Sequence, residues 1–164
     1  MFGRVGTVLE MIKVQHSLFA LPWAFVGAFY AAKGLPPWGK IGWILLAMVA
    51  ARSAAMAFNR AVDSKIDAEN PRTKMRAIPA GKLTTAFTLA FALVMVGLLV
   101  FAAAMLNPLC LKLSPLALAA TLGYSFTKRF TALCHFVLGL SLAAAPIGAW
   151  LAVDPDRVRE PLPY

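Results

Sequence analysis

The sequence predicts an all-α protein, a multi-span bundle of transmembrane helices. Of its 164 residues, 60% are hydrophobic and only 14% are charged, and the mean hydropathy is +0.73. Soluble domains are nearer about 25% charged, so lipid rather than water is expected around most of this chain. Backbone groups in lipid must pair within their own segment, and the apolar runs are therefore expected to be helices.

Five apolar runs are candidates for crossing the bilayer, which takes about 20 residues. The first is short and contains Pro22 near its start, whereas the third is long and carries no charge. The five predicted spans are residues 18–32, 41–58, 86–106, 109–126 and 132–153.

The connections between these runs agree with this division. Pro36 and Pro37 break the chain after the first span, and Asn107 and Pro108 form a turn between the third and fourth spans. Residues 60–82 form the one long polar connection. We therefore expect residues 1–153 to form one membrane domain, followed by a polar, Pro-rich tail at 154–164.

The positive charge predicts a membrane topology and no nucleic-acid partner. The formal net charge is +9, but the basic residues stand in short clusters between apolar runs. Ten lysines and arginines fall in the N-terminus, the long loop and the loop at Lys128 and Arg129, against five on the opposite side. The richer side is predicted to be cytoplasmic, which places both charged loops on one side of the membrane and the C-terminus outside.

An acidic row begins the long loop. Asn59, Asp63 and Asp67 stand at i, i+4 and i+8, so a helix would place them on one face. Their hard oxygen atoms suit Mg²⁺, which binds through one or two carboxylates together with substrate phosphates. An alternative is a solvated helix end in which the two aspartates pair with Lys65 or Arg60.

Cations follow the acidic row. Arginine forks match phosphate oxygens, and a departing diphosphate needs both metal and cationic stabilisation. The alternative is that these loop cations are ordinary basic residues of a cytoplasmic loop. The loop cations are Arg72, Lys74, Arg76 and Lys82.

Arg52 lies inside the second predicted span, two helical turns before Asn59. A charge at that depth is costly and usually faces a polar cavity or a partner, so Arg52 is predicted to face a cavity rather than to form a purely structural ion pair.

Three segments carry a resemblance to a known family. Residues 59–67 resemble the first aspartate-rich motif, N-x-x-x-D-x-x-x-D, of the UbiA prenyltransferases. Residues 70–82, with NPRT and IPAGK, resemble the loop of that family, and residues 124–129 resemble its Y-x-x-x-K-R segment. The similarity covers residues 4 to 153. Arg60 stands where the family commonly has Asp. This variant, together with the sequence NPRT-x-M-R-A-I-P-A-G, resembles the branch of 4-hydroxybenzoate polyprenyltransferases or their menaquinone-pathway counterpart.

This resemblance implies a fold, a site and a reaction. The fold would be a nine-helix bundle around a central cavity, of which about five helices are present. The reaction would join a prenyl diphosphate to an aromatic acceptor such as 4-hydroxybenzoate, in ubiquinone or menaquinone biosynthesis, in the bacterial inner membrane. The implied site comprises Asn59, Asp63 and Asp67 as catalytic Mg²⁺ ligands, Arg72, Arg76, Lys128 and Arg129 as diphosphate-binding residues, and Arg52 and Tyr124 as cavity residues.

Other interpretations remain open at the level of sequence. The second aspartate motif of the family follows its sixth helix, and the fifth predicted span is the last here, so a truncated copy is expected. A non-enzymatic membrane fragment with an ion-binding aspartate row is the alternative. A CDP-alcohol phosphotransferase is disfavoured, because no D-G-x-x-A-R element follows Asp63.

Overall fold

The computed structural model describes residues 2–127, 129–131 and 133–156. That part of the chain is helical and contains no strand, which confirms the predicted all-α class. The helices are α1 (Phe2–Met11), α2 (Val14–Ala32), α3 (Trp38–Val62), α4 (Ser64–Glu69), α5 (Thr85–Leu106), α6 (Pro108–Thr127) and α7 (Cys134–Val153).

Four of these helices, α3, α5, α6 and α7, are long and apolar enough to cross a membrane. Helix α5 is the most apolar, with a mean hydropathy of 2.8, as its uncharged sequence predicts. The first predicted span, 18–32, falls within α2, of which Leu21–Ala32 is apolar. Helix α1 and the short α4 were not among the predicted elements.

Small residues let the helices approach closely. Ala24 and Ala28 of α2 and Ala149 and Ala152 of α7 are almost completely buried in one cluster. A Cβ atom on Gly27 would clash with the carbonyl oxygen of Pro146 in α7. In lipid, where apolar burial does not drive association, such close backbone packing supplies much of the attraction between helices.

One end of the bundle is tied together by hydrogen bonds to the last carbonyls of α7. The Asn107 side chain donates to the Leu151 oxygen at 2.8 Å and accepts from the Cys110 amide at 2.8 Å. Lys40 Nζ donates to the Val153 oxygen at 3.1 Å. These bonds satisfy carbonyls that a helix terminus otherwise leaves unpaired, and the lysine charge complements the helix dipole.

The opposite end of the bundle carries both charged loops. Arg129, between α6 and α7, reaches the Asp63 carboxylate at the end of α3, with a nitrogen–oxygen distance of 3.0 Å. This contact confirms that the long loop and the short loop lie at the same end, as the charge pattern predicts.

We expect Gly27→Ala to lower the stability of the α2–α7 pair by about 1–3 kcal/mol, because the added methyl group forces the two backbones apart. Thermal unfolding in detergent, followed by tryptophan fluorescence, measures the effect. Gly97→Ala in α5 is the matched control, because no atom lies within 4 Å of the added Cβ there. Equal melting temperatures for the two variants would contradict the close α2–α7 contact.

Candidate functional site

The acidic row lies where α3 gives way to α4. Asp63 joins the two helices, with φ −84° and ψ −2°. Its backbone amide donates to the backbone oxygen of Asn59 at 3.0 Å, and the backbone amide of Asp67 donates to the backbone oxygen of Asp63 at 2.8 Å. The helical spacing of Asn59, Asp63 and Asp67 therefore continues through the junction, although the helix is divided there.

Asp67 anchors the long loop. Its carboxylate is buried, and Arg76 Nη1 donates to both of its oxygens, at 2.7 and 2.8 Å. The Thr73 hydroxyl donates to the Asp67 backbone oxygen at 2.9 Å. Asn70 begins the loop by accepting from the Arg72 amide at 2.9 Å. The loop is thus folded back onto α4 rather than extended into solvent.

Asp63 anchors the short loop in the same manner. Its carboxylate is also buried, and Arg129 Nη2 donates to it at 3.0 Å and to the Val62 oxygen at 3.1 Å. The aspartates thus have ion-pair partners from two loops, Arg76 and Arg129. Arg60, one of the neighbours considered from the sequence, also interacts electrostatically with both aspartates. Lys128 lies outside the described residues, and its diphosphate-binding role stays a prediction.

A cavity of about 490 Å³ opens between the spanning helices, and its walls are mostly apolar. Arg52, Asn59 and Tyr124 line it, together with aliphatic residues of α3, α5, α6 and α7. Arg52 therefore lines a cavity within a spanning helix.

Two polar atoms in this apolar cavity wall lack hydrogen-bond partners among the described residues. Most hydroxyl groups around the cavity bond to their own helices; Thr121, for example, donates to the Ala117 oxygen at 2.7 Å. By contrast, Arg52 Nε and Ser125 Oγ are buried and make no hydrogen bond to any residue that the structure describes. Unpaired buried polar groups are costly, so each of these atoms marks a place where a polar part of a ligand would be stabilised.

A second, polar cavity of about 310 Å³ lies beneath the end of α1. Asp67, Arg72 and Arg76 line it, with Lys82 from the same loop and Arg60 from the last turn of α3. Glu10 and Lys13 of the N-terminal segment complete its charged lining. Neither residue stands in a motif from which this position could have been predicted.

The predicted site residues are therefore divided between two sides of α3. Asn59 faces the apolar cavity and Asp67 the polar one, while Asp63 and its partner Arg129 line neither. A rotation of 100° per residue separates neighbouring faces of a helix, which is why the consecutive residues Asn59 and Arg60 face different cavities.

The donor chemistry of the acidic row fits magnesium, since two carboxylates and one amide supply hard oxygen atoms. In the structure, however, an arginine holds each carboxylate. Within the described residues, no three His, Cys, Asp or Glu side chains cluster closely enough to hold a metal by themselves. A metal here would therefore need ligands from a phosphate group as well.

Four helices suited to crossing a bilayer define the class of this chain, a multi-pass integral membrane protein. Residues 20–163 match the UbiA prenyltransferase family, and the chain belongs to that family.

Several known proteins are similar to the chain. The 4-hydroxybenzoate octaprenyltransferase of Vibrio campbellii is 35% identical over 136 residues, which cover 82% of this chain and 46% of that protein. The protoheme IX farnesyltransferase of Ectopseudomonas mendocina is 34% identical over 163 residues, covering 94% and 52%. The apo structure of a UbiA homolog from Aeropyrum pernix K1 has a TM-score of 0.80 at 34% identity, covering 87% and 51%. The chain thus spans about half the length of the relatives it matches.

We expect Asp67→Asn to loosen the long loop, because Arg76 loses its charged partner. A charge-assisted bond with an exposed guanidinium is worth about 1 kcal/mol here, so trypsin should cleave after Arg72 or Lys74 roughly fivefold faster. Limited proteolysis followed by mass spectrometry measures the rates. Glu69→Gln removes the same charge from an exposed position and serves as the control; equal cleavage rates in both variants would refute the anchoring role.

Proposed function

We propose that the chain carries the first half of a site for transferring a prenyl group from its diphosphate to an aromatic acceptor that bears a carboxylate. The observation that supports this most directly is Arg52, whose Nε is buried in the wall of an apolar cavity and has no hydrogen-bond partner within the described part of the chain. An apolar cavity with one cationic group fits a flexible hydrocarbon next to a small anionic aromatic compound.

The diphosphate would lie at the end of α3, where Asn59 closes the apolar cavity and Asp63 follows one turn later. Arg129 is paired with Asp63. Its guanidinium would move from that carboxylate to the phosphate oxygens, which it can bind bidentately. Lys128, next to it in sequence, would add a second cation. Arg72 and Arg76 lie on the polar side and would reach this diphosphate by movement of the loop that Asp67 anchors.

Asp63, released from Arg129, would hold magnesium together with Asn59 at the end of α3. Asp67 would join them only after movement of α4 and the long loop, because Asn59 and Asp67 line different cavities. When bound, magnesium supplies charge neutralisation for the leaving diphosphate. The arginines complement this by donating hydrogen bonds where negative charge grows as the carbon–oxygen bond breaks.

The acceptor would bind through its carboxylate at Arg52, within reach of the Ser125 hydroxyl and the Tyr124 ring. This would orient a ring carbon toward the allylic carbon that loses diphosphate. The apolar walls would exclude water from that electron-deficient centre, because water would otherwise capture it.

The name of the Vibrio campbellii relative favours 4-hydroxybenzoate as the acceptor, and hence quinone biosynthesis, ubiquinone or menaquinone, in a bacterial inner membrane. The name of the Ectopseudomonas mendocina relative gives protoheme IX as a second candidate acceptor, since that match covers 94% of the chain.

We expect Arg52→Gln to raise the KM for 4-hydroxybenzoate about 10- to 100-fold with little change in kcat, because a charge-assisted bond of about 1.5–3 kcal/mol is lost. The KM for the neutral 4-hydroxybenzamide should not change. Arg52→Lys, which keeps the charge but not the planar fork, should fall between. Equal losses for both acceptors would contradict the role of Arg52 in binding a carboxylate.

We expect Asp63→Ala and Asp67→Ala to abolish transfer of a radiolabelled prenyl group to 4-hydroxybenzoate in membranes containing Mg²⁺, because each removes an oxygen ligand near the diphosphate. Glu69→Ala, an acidic control on α4, should retain activity, and protoheme IX replaces the aromatic acid in a parallel reaction. Transfer that survives both aspartate substitutions, or no transfer by the parent chain to either acceptor, would contradict the proposal.

A further inference from the structure

One hydroxyl group in the wall of the apolar cavity differs from its neighbours. Among the described residues, the serines and threonines that line this cavity are Ser114, Thr121, Ser125 and Ser141. Three of these hydroxyl groups donate to carbonyl oxygens of their own helices, at 2.7–2.8 Å. The fourth, on Ser125, makes no hydrogen bond to any described residue.

The Ser125 hydroxyl is also shielded from solvent, since the residue is only 1% exposed. A serine within a helix ordinarily donates to a carbonyl one turn earlier, which here would be that of Thr121 or Leu122. Ser125 uses neither, although an unpaired hydroxyl in apolar surroundings is destabilising. Its oxygen can therefore accept a hydrogen bond from a ligand in this cavity, and its proton can be donated to one.

The packing of α6 against α3 sets the height of Ser125 in the cavity. Both helices run from the Asn107 end of the bundle toward the charged loops. Phe126 of α6 packs edge-to-face on Phe58 of α3, with ring centroids 5.8 Å apart. Arg52 stands six residues before Phe58, whereas Ser125 directly precedes Phe126. At about 1.5 Å of rise per residue, Ser125 lies about 8 Å closer to the charged loops than Arg52 does.

A flat aromatic acid with a para hydroxyl group suits this arrangement. Its carboxylate matches the guanidinium of Arg52, and its ring separates the two polar substituents by a distance similar to the step between Arg52 and Ser125. The wall beside this step is apolar, because Ala55 and Met56 of α3 line it. The hydroxyl end of the ring would then point toward Asn59 and the end of α3.

We propose that Ser125 is a positioning residue that binds the para hydroxyl group of the aromatic acceptor while Arg52 binds its carboxylate. This inference rests on the proposed function and assigns the second polar contact of the same ligand. The serine oxygen accepts a hydrogen bond from the phenolic hydroxyl, which keeps the ring carbons beside that hydroxyl near the diphosphate. An acceptor without the hydroxyl would leave Ser125 unpaired and would bind more weakly.

The test is equilibrium dialysis of the full chain in detergent micelles against radiolabelled 4-hydroxybenzoate or 4-methylbenzoate, with protein-free micelles as the blank. The two acids have nearly the same shape, but only the first carries a hydroxyl group. We expect the parent chain to bind 4-hydroxybenzoate about 10-fold more tightly than 4-methylbenzoate. Ser125→Ala should bind 4-hydroxybenzoate about 10-fold more weakly, with no change for 4-methylbenzoate, so that the preference disappears.

Ser114→Ala is the matched control, because it removes a buried hydroxyl of the same helix and cavity that already donates to the Leu111 oxygen. This variant should keep the preference, whereas Arg52→Gln should weaken the binding of both acids equally. Thermal unfolding of Ser125→Ala should have a midpoint no lower than that of the parent, since no described hydrogen bond is lost.

A preference that survives Ser125→Ala, or a parent chain that binds the two acids equally, would overturn the role of Ser125 and leave the proposed function intact. A midpoint several degrees lower for Ser125→Ala would also count against it, because the hydroxyl would then have a structural role. A parent chain that binds neither acid would overturn both the proposed function and this inference. Because binding rather than transfer is measured, an inactive chain would not affect the result.

Discussion

Two buried carboxylates, one at the junction of α3 with α4 and one within α4, are neutralised by arginines from two different loops. A carboxylate with so little exposure is costly to keep charged unless a cation and hydrogen bonds accompany it. Arg76 supplies them to Asp67, and Arg129 supplies them to Asp63. These pairs hold the long loop against α4 and the short loop against the end of α3.

The same pairs explain how one acidic row can serve both structure and chemistry. Arginine prefers planar, two-oxygen partners, and a phosphate group is such a partner as much as a carboxylate is. In the proposed function an incoming diphosphate competes with Asp63 for Arg129, and the released carboxylate becomes an oxygen donor. Neutralisation of the buried carboxylate and recognition of the substrate would then use the same guanidinium group.

Much of the fold follows from the sequence because lipid leaves the backbone few choices. The runs behind α3, α5, α6 and α7 are apolar on most faces and long enough to cross a bilayer, and helix is the conformation that pairs their backbone groups. Arg52 was predicted to face a cavity for the same reason, since a charge inside a span needs polar surroundings. The spacing of Asn59, Asp63 and Asp67 correctly indicated that helical hydrogen bonding runs through all three.

The ion-pair partners and cavities around the acidic row could not be predicted from the spacing of Asn59, Asp63 and Asp67. Which cation pairs with Asp63 depends on how α6 and α7 pack, and the chosen partner, Arg129, is 66 residues away. The polar cavity depends on the docking of α1, a ten-residue helix whose sequence contains no recognisable motif. The division of Asn59 and Asp67 between two cavities depends on the packing around α3, which no residue pattern encodes.

The two ends of the bundle are held by bonds of different kinds. At one end, Asn107 is bonded to backbone carbonyl groups of α7, and such neutral contacts hardly respond to ionic strength. At the other end, partly exposed ion pairs hold the loops in place, and dissolved ions weaken these ion pairs. The contacts at the Asn107 end should therefore persist as ionic strength rises, whereas the ion pairs at the other end can be released. Added salt, or an anion that competes for the guanidinium groups, would separate the helices first at the end that carries the charged loops.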